Sequence, residues 1–358
     1  MSAHYADDRN HEIRGRAFVR LVCFLDCFLA LCACVSARGG TAGHPQQGAA
    51  ATDGRWALLV SGISGDPELQ KGYLKELVDL RGILEGPLAF PSNHVIALFD
   101  KPDMDPVHIQ SLSNRENLAK ACKDIASRAG KEDLVFIFLE GHGDFDGKSY
   151  KFNLVGPDPS GEEMAAMFYA IPAQRYIVVN ATNCSGGSQE ALIGKGKTVV
   201  TATKSGNEKN LTHFGRFFVD ALAGNNADVD KNGRVSVFEA FNYAARKVEE
   251  YYTKDGSLQT EHPIINDNGA AHALALSEIG EHDALLSRAA YLDRGSPATI
   301  QADLSPEAQA LAKEAQSLEK QIEQLKSAKD EMSQADYEKK LEDLLVKLAE
   351  VQAKLRKK

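Results

Sequence analysis

From Trp56 onward, short apolar runs alternate with longer segments in which apolar residues recur at helical spacing. The short runs are typical of buried strands and the longer segments of amphipathic helices. The predicted strands are 56–61, 94–99, 133–139, 176–180 and 197–203, with a hairpin arm at 150–155. The predicted helices are 68–85, 113–129, 162–169, 213–223 and 238–251, and the second opens with a capping box at Ser113-Asn-Arg-Glu116. This alternation predicts an α/β fold with a largely parallel sheet and helices on both faces.

The C-terminal part of the chain follows a different pattern. From Leu311 apolar residues recur every seven positions, and after the polar segment 333–336 the repeat resumes at Tyr337. Residues 305–358 are therefore predicted to form two amphipathic helices. Because each helix has only about three heptads, we expect an intramolecular hairpin. Pairing with another chain, as a coiled coil in a homo-oligomer, is the alternative.

The N-terminal pattern predicts export. Residues 1–37 contain arginines, then an apolar stretch, then the small residues Val35-Ser-Ala37, as in a secretory signal. A linker rich in Gly, Ala and Gln follows at 38–54. Cleavage would place the protein in the periplasm or outside the cell. Leu31-Cys-Ala-Cys34 also resembles an imperfect lipobox, so a lipoprotein attached to the membrane through Cys34 is the alternative, and a retained anchor is a third.

Composition and motif content argue against nucleic-acid binding, nucleotide-binding loops and a disulfide framework. The net charge of −9 argues against a general nucleic-acid binder, because such proteins neutralise many phosphates. The glycine fingerprints of nucleotide-binding loops are absent, so no organic cofactor is expected. Four of the six cysteines lie within residues 1–37, and Cys122 falls in a helical pattern. The body of the chain therefore has no disulfide framework and has a single cysteine, Cys184, in a reactive context.

Two predicted strand ends carry complementary chemistry. The strand 133–139 runs into Glu-Gly-His142-Gly143, and the strand 176–180 runs into Ala-Thr-Asn-Cys184. Ligands and reactive groups of open α/β sheets collect at the carboxyl ends of strands. A cysteine thiolate and a histidine acid/base are the minimum set for nucleophilic attack on a carbonyl. The backbone N–H groups of Gly143 and Cys184 are the predicted oxyanion donors.

Residues 228–239 fit an EF-hand loop, with glycine at the sixth position. The predicted calcium ligands are Asp228, Asp230, Asn232, Arg234 through its backbone carbonyl, Ser236 and Glu239. Because sensor loops generally work in pairs and only one loop is present, we expect a structural ion. A solvated acidic turn that binds nothing is the alternative.

At these residues the sequence resembles caspase-like cysteine peptidases of the legumain (C13) family, in a bacterial exported form. The resemblance covers about residues 55–265 and rests on the first strand, the two strand ends at His142 and Cys184, and the segment 201–208. It implies a caspase–hemoglobinase fold and a His142–Cys184 dyad. It also implies an oxyanion hole at Gly143 and Cys184, and hydrolysis of peptide bonds.

The sequence departs from animal and plant legumains at their specificity pocket. Those enzymes have a glutamate two residues before the nucleophile, where this chain has Thr182. They also have an Asn and an Arg after the first strand, and 65–71 contains neither. Asparaginyl specificity is therefore not implied. The pocket is expected to involve Thr182, Thr203, Ser205 and Asn207.

The sequence thus predicts an exported, calcium-stabilised cysteine endopeptidase that acts on peptides or proteins. Its catalytic domain is expected at 55–269, followed by a connector at 270–304 and the helical hairpin. Two alternatives remain open. One is a binding module without catalysis that uses its cleft or its C-terminal helices. The other is a transpeptidase or ligase that uses the same acyl-enzyme.

Overall fold

The computed structural model describes residues 53–280, 283–293 and 332–355, with single positions between 311 and 329. The predicted export signal, its lipobox and most of the linker lie outside the described residues. The strands are β1 (Arg55–Ser61), β2 (Val95–Phe99), β3 (Ser111–Leu112), β4 (Leu134–Glu140), β5 (Gly143–Phe145), β6 (Tyr150–Phe152), β7 (Arg175–Asn180), β8 (Lys197–Thr201), β9 (Ile264–Asp267) and β10 (Leu274–Ala275). The helices are α1 (Pro67–Glu85), α2 (Arg115–Arg128), α3 (Gly161–Phe168), α4 (Gln189–Leu192), α5 (Phe214–Ala223), α6 (Val237–Asp255), α7 (Leu285–Arg288) and α8 (Gln334–Leu355).

Eight strands form one sheet in the order β10-β9-β8-β7-β4-β1-β2-β3. The six strands from β8 to β3 in this order pair in parallel, and β9 and β10 extend the sheet antiparallel. The predicted α/β class, with a largely parallel sheet, is confirmed. The predicted arm at 150–155 is strand β6, which pairs with β5 in a separate hairpin.

Alternate residues of the strands face two hydrophobic cores. One core packs the sheet against α1, α5 and α6, and the other packs it against α2, α3 and α4. In β4, Phe136 and Phe138 belong to the first core, whereas Val135, Ile137 and Leu139 belong to the second. A strand buried on both faces requires the near-continuous apolar run that the sequence shows there.

The start of α2 differs from the predicted capping box by one residue. Asn114 is the N-cap, and its side chain accepts a hydrogen bond from the Asn117 N–H at 2.8 Å. Ser113 is fully buried, so its hydroxyl does not cap the helix from the surface. Serine and asparagine are almost equally favourable N-cap residues, so the burial of Ser113 explains why Asn114 is the N-cap.

The predicted connector at 270–304 is wrong in its first part, because this segment belongs to the body of the fold. Strand β10 extends the sheet, and Ala290 and Leu292 are fully buried in the core beside α6. The Arg55 guanidinium donates a hydrogen bond to the Leu292 carbonyl at 2.6 Å. The segment has a weak apolar rhythm because its strand and helix are short.

Described positions between 311 and 329 pack against α8. Leu318 and Val351 are buried together, with Leu311, Leu344 and Leu348 around them. These contacts agree with the predicted hairpin, and both the hairpin and a homo-oligomer through the C-terminal helices stay predictions. Within the described part of the chain, no helix combines the length and the apolar character needed to cross a membrane.

Candidate active site

The residues around His142 and Cys184 lie at the carboxyl edge of the parallel sheet, next to the point where the strand order reverses. After β3 the chain crosses to β4 on the other side of β1 and then continues outward to β7 and β8. His142 follows β4 and Cys184 follows the neighbouring β7, whose Asn180 pairs with Leu139. Reversals of strand order are where open α/β sheets bind ligands.

The imidazole of His142 is oriented by a backbone carbonyl. Its Nε2 lies 3.1 Å from the carbonyl oxygen of Ser64, in the loop after β1. Because a carbonyl only accepts, Nε2 carries the proton, and Nδ1 of the neutral ring is left as the acceptor. A histidine in this tautomer can take a proton at Nδ1.

The Ser64 loop is itself fixed by Asp100, at the end of β2. One Asp100 carboxylate oxygen accepts hydrogen bonds from the Ser64 N–H, the Ser64 hydroxyl and the Gln70 amide at 3.3, 3.0 and 2.9 Å. The carbonyl that orients His142 is therefore held from the neighbouring strand. Neither Ser64 nor Asp100 could be predicted from the sequence, because a backbone carbonyl and a loop contact leave no sequence signal.

Cys184 lies at the turn that leaves β7, in the left-handed conformation with φ of 58°. This conformation is uncommon for a residue other than glycine and accompanies a sharp change of chain direction. The side chain is only 1% exposed. Burial raises the pKa of the Cys184 thiol to about 11, although nearby Lys209 lowers it. In this conformation the group is a thiol at neutral pH.

The two predicted oxyanion donors are both engaged within the protein. The Gly143 N–H donates to Oδ1 of Asn183 at 2.9 Å, and the Cys184 N–H donates to the Glu208 carbonyl at 2.8 Å. Glycine is required at 143, since a Cβ there would lie 2.4 Å from the Tyr150 ring. In this conformation both donors are therefore occupied from within the protein, and their role as an oxyanion hole stays a prediction.

Asn183 connects the two strand ends. Besides accepting from Gly143, its side-chain amide donates to the Lys209 carbonyl at 2.9 Å and to Sγ of Cys184 at 3.6 Å. The residue before the cysteine thus touches the residue after the histidine and the loop that follows β8. In the sequence, only its position next to Cys184 pointed to Asn183, and Asn183 was not among the predicted site residues.

The residues expected to form a specificity pocket have different environments. Thr182 is fully buried, and its hydroxyl lies 2.7 Å from the Tyr150 hydroxyl and 2.8 Å from Oδ1 of Asn180. Thr203 is also fully buried, and its hydroxyl accepts from the Gly186 N–H at 2.8 Å. Both threonines are therefore closed off from solvent in this conformation, and their part in a substrate pocket stays a prediction. Ser205 is half-buried and Asn207 is exposed.

Behind the histidine loop lies a pair of buried carboxyl groups. Glu140 ends β4, and its Oε1 accepts the Gly141 N–H at 3.3 Å. Burial first, and then the charge of Glu76, raises the pKa of Glu140 well above its usual range. Burial likewise raises the pKa of Glu76 to about 7. The pair therefore retains a proton close to neutral pH.

The loop 228–239 joins α5 to α6, so the helix–loop–helix arrangement is present. Carboxylate oxygens of Asp228, Asp230 and Glu239 lie within 4.8 Å of one another. Asp228 accepts from the Asn232 and Gly233 N–H groups at 3.1 and 2.9 Å, which curls the loop around these oxygens. Burial, and then the charge of Glu239, raises the pKa of Asp230. Three converging carboxylates are the hard oxygen donors that calcium prefers.

The remaining predicted ligands of this loop have mixed roles. The Ser236 hydroxyl accepts from the Glu239 N–H at 3.2 Å in the capping box of α6, and it also donates to Oε2 of Glu239 at 2.8 Å. Asn232 accepts from the Arg234 N–H at 2.8 Å. The Arg234 guanidinium donates to Asp293 and stacks on the Tyr291 ring, so only its backbone carbonyl could serve an ion.

No protein-family model matches the sequence, and no curated protein sequence matches it significantly. Among solved structures, protein GSU0716 from Geobacter sulfurreducens is similar at 14% identity and a TM-score of 0.40, over 59% of this chain and 92% of that one. The structure of drICE is similar at 12% identity and a TM-score of 0.37, over 62% and 91% of the chains. The structure of the Drosophila initiator caspase Dronc is similar at 12% identity and a TM-score of 0.41, over 63% of this chain and 84% of that one. Identities this low carry no information about a shared activity.

Proposed function

We propose that this protein is an exported, calcium-stabilised cysteine endopeptidase of the legumain type, with Cys184 as nucleophile and His142 as general acid/base. The observation that supports it most is the pairing of the two strand ends. His142 follows β4 with Nδ1 available, and Cys184 follows the adjacent β7. The exported location rests on residues 1–37 of the sequence alone.

The chemistry follows from these two side chains. Nδ1 of His142 takes the thiol proton of Cys184, and the sulfur attacks the carbonyl carbon of a peptide bond. The imidazolium then protonates the leaving amine, which departs and leaves a thioester. Water, activated by the same imidazole, releases the acid and restores the thiol. Donation from Nε2 to the Ser64 carbonyl keeps the ring oriented throughout.

A peptide carrying a thiol-directed electrophile tests this assignment. We expect the peptide to label Cys184, and we expect His142→Gln to slow labelling strongly because the base is removed. Cys122→Ala is the matched control, since Cys122 is buried in the α2 core with its pKa raised to about 12 by burial. Equal labelling rates in the wild-type and His142→Gln proteins would contradict the dyad.

Calcium is the proposed structural ion of the loop 228–239. Asp228, Asp230 and Glu239 supply the carboxylates that converge there. The segment that follows α7 is attached to the same loop, because the Asn232 amide donates to the Tyr291 hydroxyl at 3.1 Å and Arg234 pairs with Asp293. An ion in the loop would therefore stabilise both α6 and this segment.

A second candidate function, a binding module without catalysis, is favoured by one observation. Cys184 is 1% exposed, and both oxyanion donors are engaged. If this closed conformation is permanent, the thiol reacts no faster than an ordinary buried cysteine and the cleft serves only to bind. The two candidates differ in whether Cys184 can become reactive in the folded protein.

A further inference from the structure

The loop of residues 204–209, here called the covering loop, lies directly over the cysteine turn. The Glu208 carbonyl accepts from the Cys184 N–H at 2.8 Å, and the Lys209 carbonyl accepts from the Asn183 amide at 2.9 Å. The peptide group between Glu208 and Lys209 is thus held by the residues on which a substrate carbonyl would dock. Cys184 is covered as a result.

Each oxyanion donor holds an amide-type oxygen of the protein itself. The Cys184 N–H holds the backbone carbonyl of Glu208, and the Gly143 N–H holds the side-chain carbonyl of Asn183. A peptide substrate presents the same kind of oxygen to the same donors. The internal oxygens and an external peptide are therefore competitors for one pair of N–H groups.

The covering loop is anchored by the side chain of Glu208. Its Oε2 accepts from the Lys204 N–H and the His262 N–H at 3.0 and 3.2 Å, and its Oε1 lies 2.5 Å from Nδ1 of His262. The carboxylate is largely buried, with 13% of the side chain exposed. This anchor crosses from the loop after β8 to the residues before β9, so it fixes the position of the Glu208 carbonyl.

Glycines allow the covering loop to lie close to the cysteine turn and to the β5–β6 hairpin. A Cβ at Gly186 would lie 2.2 Å from the Ser205 backbone nitrogen, and a Cβ at Gly206 would lie 2.2 Å from the Phe145 ring. The Lys209 ammonium also donates to the Phe145 carbonyl at 3.2 Å. The loop is therefore packed against both the cysteine turn and the β5–β6 hairpin.

We propose that the covering loop and Asn183 form an autoinhibitory latch, anchored by Glu208 and His262, that must move before a peptide reaches Cys184. What the latch regulates rests on the proposed function, but the latch itself is a property of the closed conformation. Opening exposes the thiol, frees the Gly143 and Cys184 N–H groups and lets Nδ1 of His142 act on the sulfur. A bound peptide keeps the latch open by occupying both donors.

The reactivity of Cys184 toward iodoacetamide measures latch opening without any substrate. The full chain is labelled under native conditions, and the peptide that contains Cys184 is quantified by mass spectrometry. We expect slow labelling in the wild-type protein and an increase of about tenfold in Glu208→Ala, because the anchor's hydrogen bonds are lost. Glu249→Ala changes an exposed glutamate of α6 and should leave the rate unchanged.

Labelling of Cys122 in the same digest reports global unfolding, because this thiol is buried in a separate helix. If Glu208→Ala raises the labelling rates of Cys184 and Cys122 together, that variant is unfolding and Asn183→Ala becomes the test. Asn183→Ala frees the Gly143 N–H and the Lys209 carbonyl but leaves the hydrogen bonds of Glu208 intact. Rapid labelling of wild-type Cys184, or no selective increase in either variant, would overturn the latch. Selective labelling of Cys184 without hydrolysis of any peptide would support the latch and contradict the peptidase activity.

Discussion

At the scale of single residues, the site depends on contacts that leave no space for a different side chain. Gly143 is the clearest case, because a Cβ would lie 2.4 Å from the Tyr150 ring and 2.6 Å from the Asn183 carbonyl oxygen. Tyr150 is 1% exposed, so its ring has nowhere to move. The requirement for glycine beside His142 is therefore as much steric as it is chemical.

We expect Gly143→Ala to lower the free energy of unfolding by about 1–3 kcal/mol, the range typical of overpacked sites. Urea denaturation of the purified protein measures this change. Gly72→Ala on α1 is the control, because nothing lies within 4 Å of its Cβ position. Alanine there should raise stability by about 1 kcal/mol, since it is the better helix former. Equal effects of both substitutions would contradict the steric account.

The buried acid pair predicts a specific pH dependence. The pKa of Glu76 is raised from 4.5 to about 7, chiefly by burial, so over this range the unfolded chain releases a proton that the folded protein retains. Stability contributed by this group is complete below about pH 4.5 and is lost as the pH rises toward 7. We therefore expect the melting temperature of Glu76→Gln to fall less over this interval than that of the wild type. Glu68→Gln, exposed on the same helix, should behave like the wild type.

At the scale of elements, the loop 228–239 has two functions at once. Glu239 caps α6 by accepting from the Ser236 N–H at 2.9 Å, and its Oε1 accepts from the Val229 and Asp230 N–H groups at 2.9 and 3.3 Å. Carboxylate oxygens of Asp228, Asp230 and Glu239 lie within 4.8 Å of one another. A calcium ion would neutralise this group of carboxylates. Without it, like charges would remain close together between α5 and α6.

Calcium should raise the melting temperature of the wild-type protein, and EDTA should lower it. Glu239→Gln keeps an oxygen for the capping box but loses the charge, so we expect it to fold and to lose the response to calcium. Glu249→Ala on the same helix is the control and should respond like the wild type. A calcium response that persists in Glu239→Gln would place the ion elsewhere, and no response in the wild type would reduce the loop to an acidic turn.

Elements with strong periodicity were predictable, and those defined by tertiary contacts were not. Helix α1 begins at Pro67 and ends at Glu85, within a residue of the predicted 68–85, because its apolar stripe is long. Strand β10 has two residues and pairs only through Leu274 and Ala275, so it has no period to detect. The cap of α2 moved to Asn114 because Ser113 is buried, which local sequence does not show.

At the scale of the molecule, the order of the strands creates the site. β1 carries Ser64 in its following loop, and the adjacent β4 carries His142, so the reversal between these strands lets one orient the other. β7 on the far side of β4 brings Cys184. The sequence predicted His142 and Cys184 because each follows a strongly apolar strand.

The closed conformation of the site could not be predicted from the sequence. It depends on Glu208 and His262, which are far apart along the chain and meet only when β8 and β9 pair. The same holds for Thr182 and Thr203, whose burial follows from side chains contributed by other loops. Residue type and strand context identify reactive groups, whereas access to them is a property of the assembled loops.

We propose Cys184 as the nucleophile of a peptide-bond hydrolase. The most direct test of this proposal is cleavage of an unbiased peptide library by the full chain in the presence of calcium, with Cys184→Ala and Cys122→Ala assayed in parallel. We expect the wild-type and Cys122→Ala proteins to cleave the same bonds, and Cys184→Ala to cleave none of them. Cleavage by Cys184→Ala at the wild-type rate, or by none of the three proteins, would contradict the account.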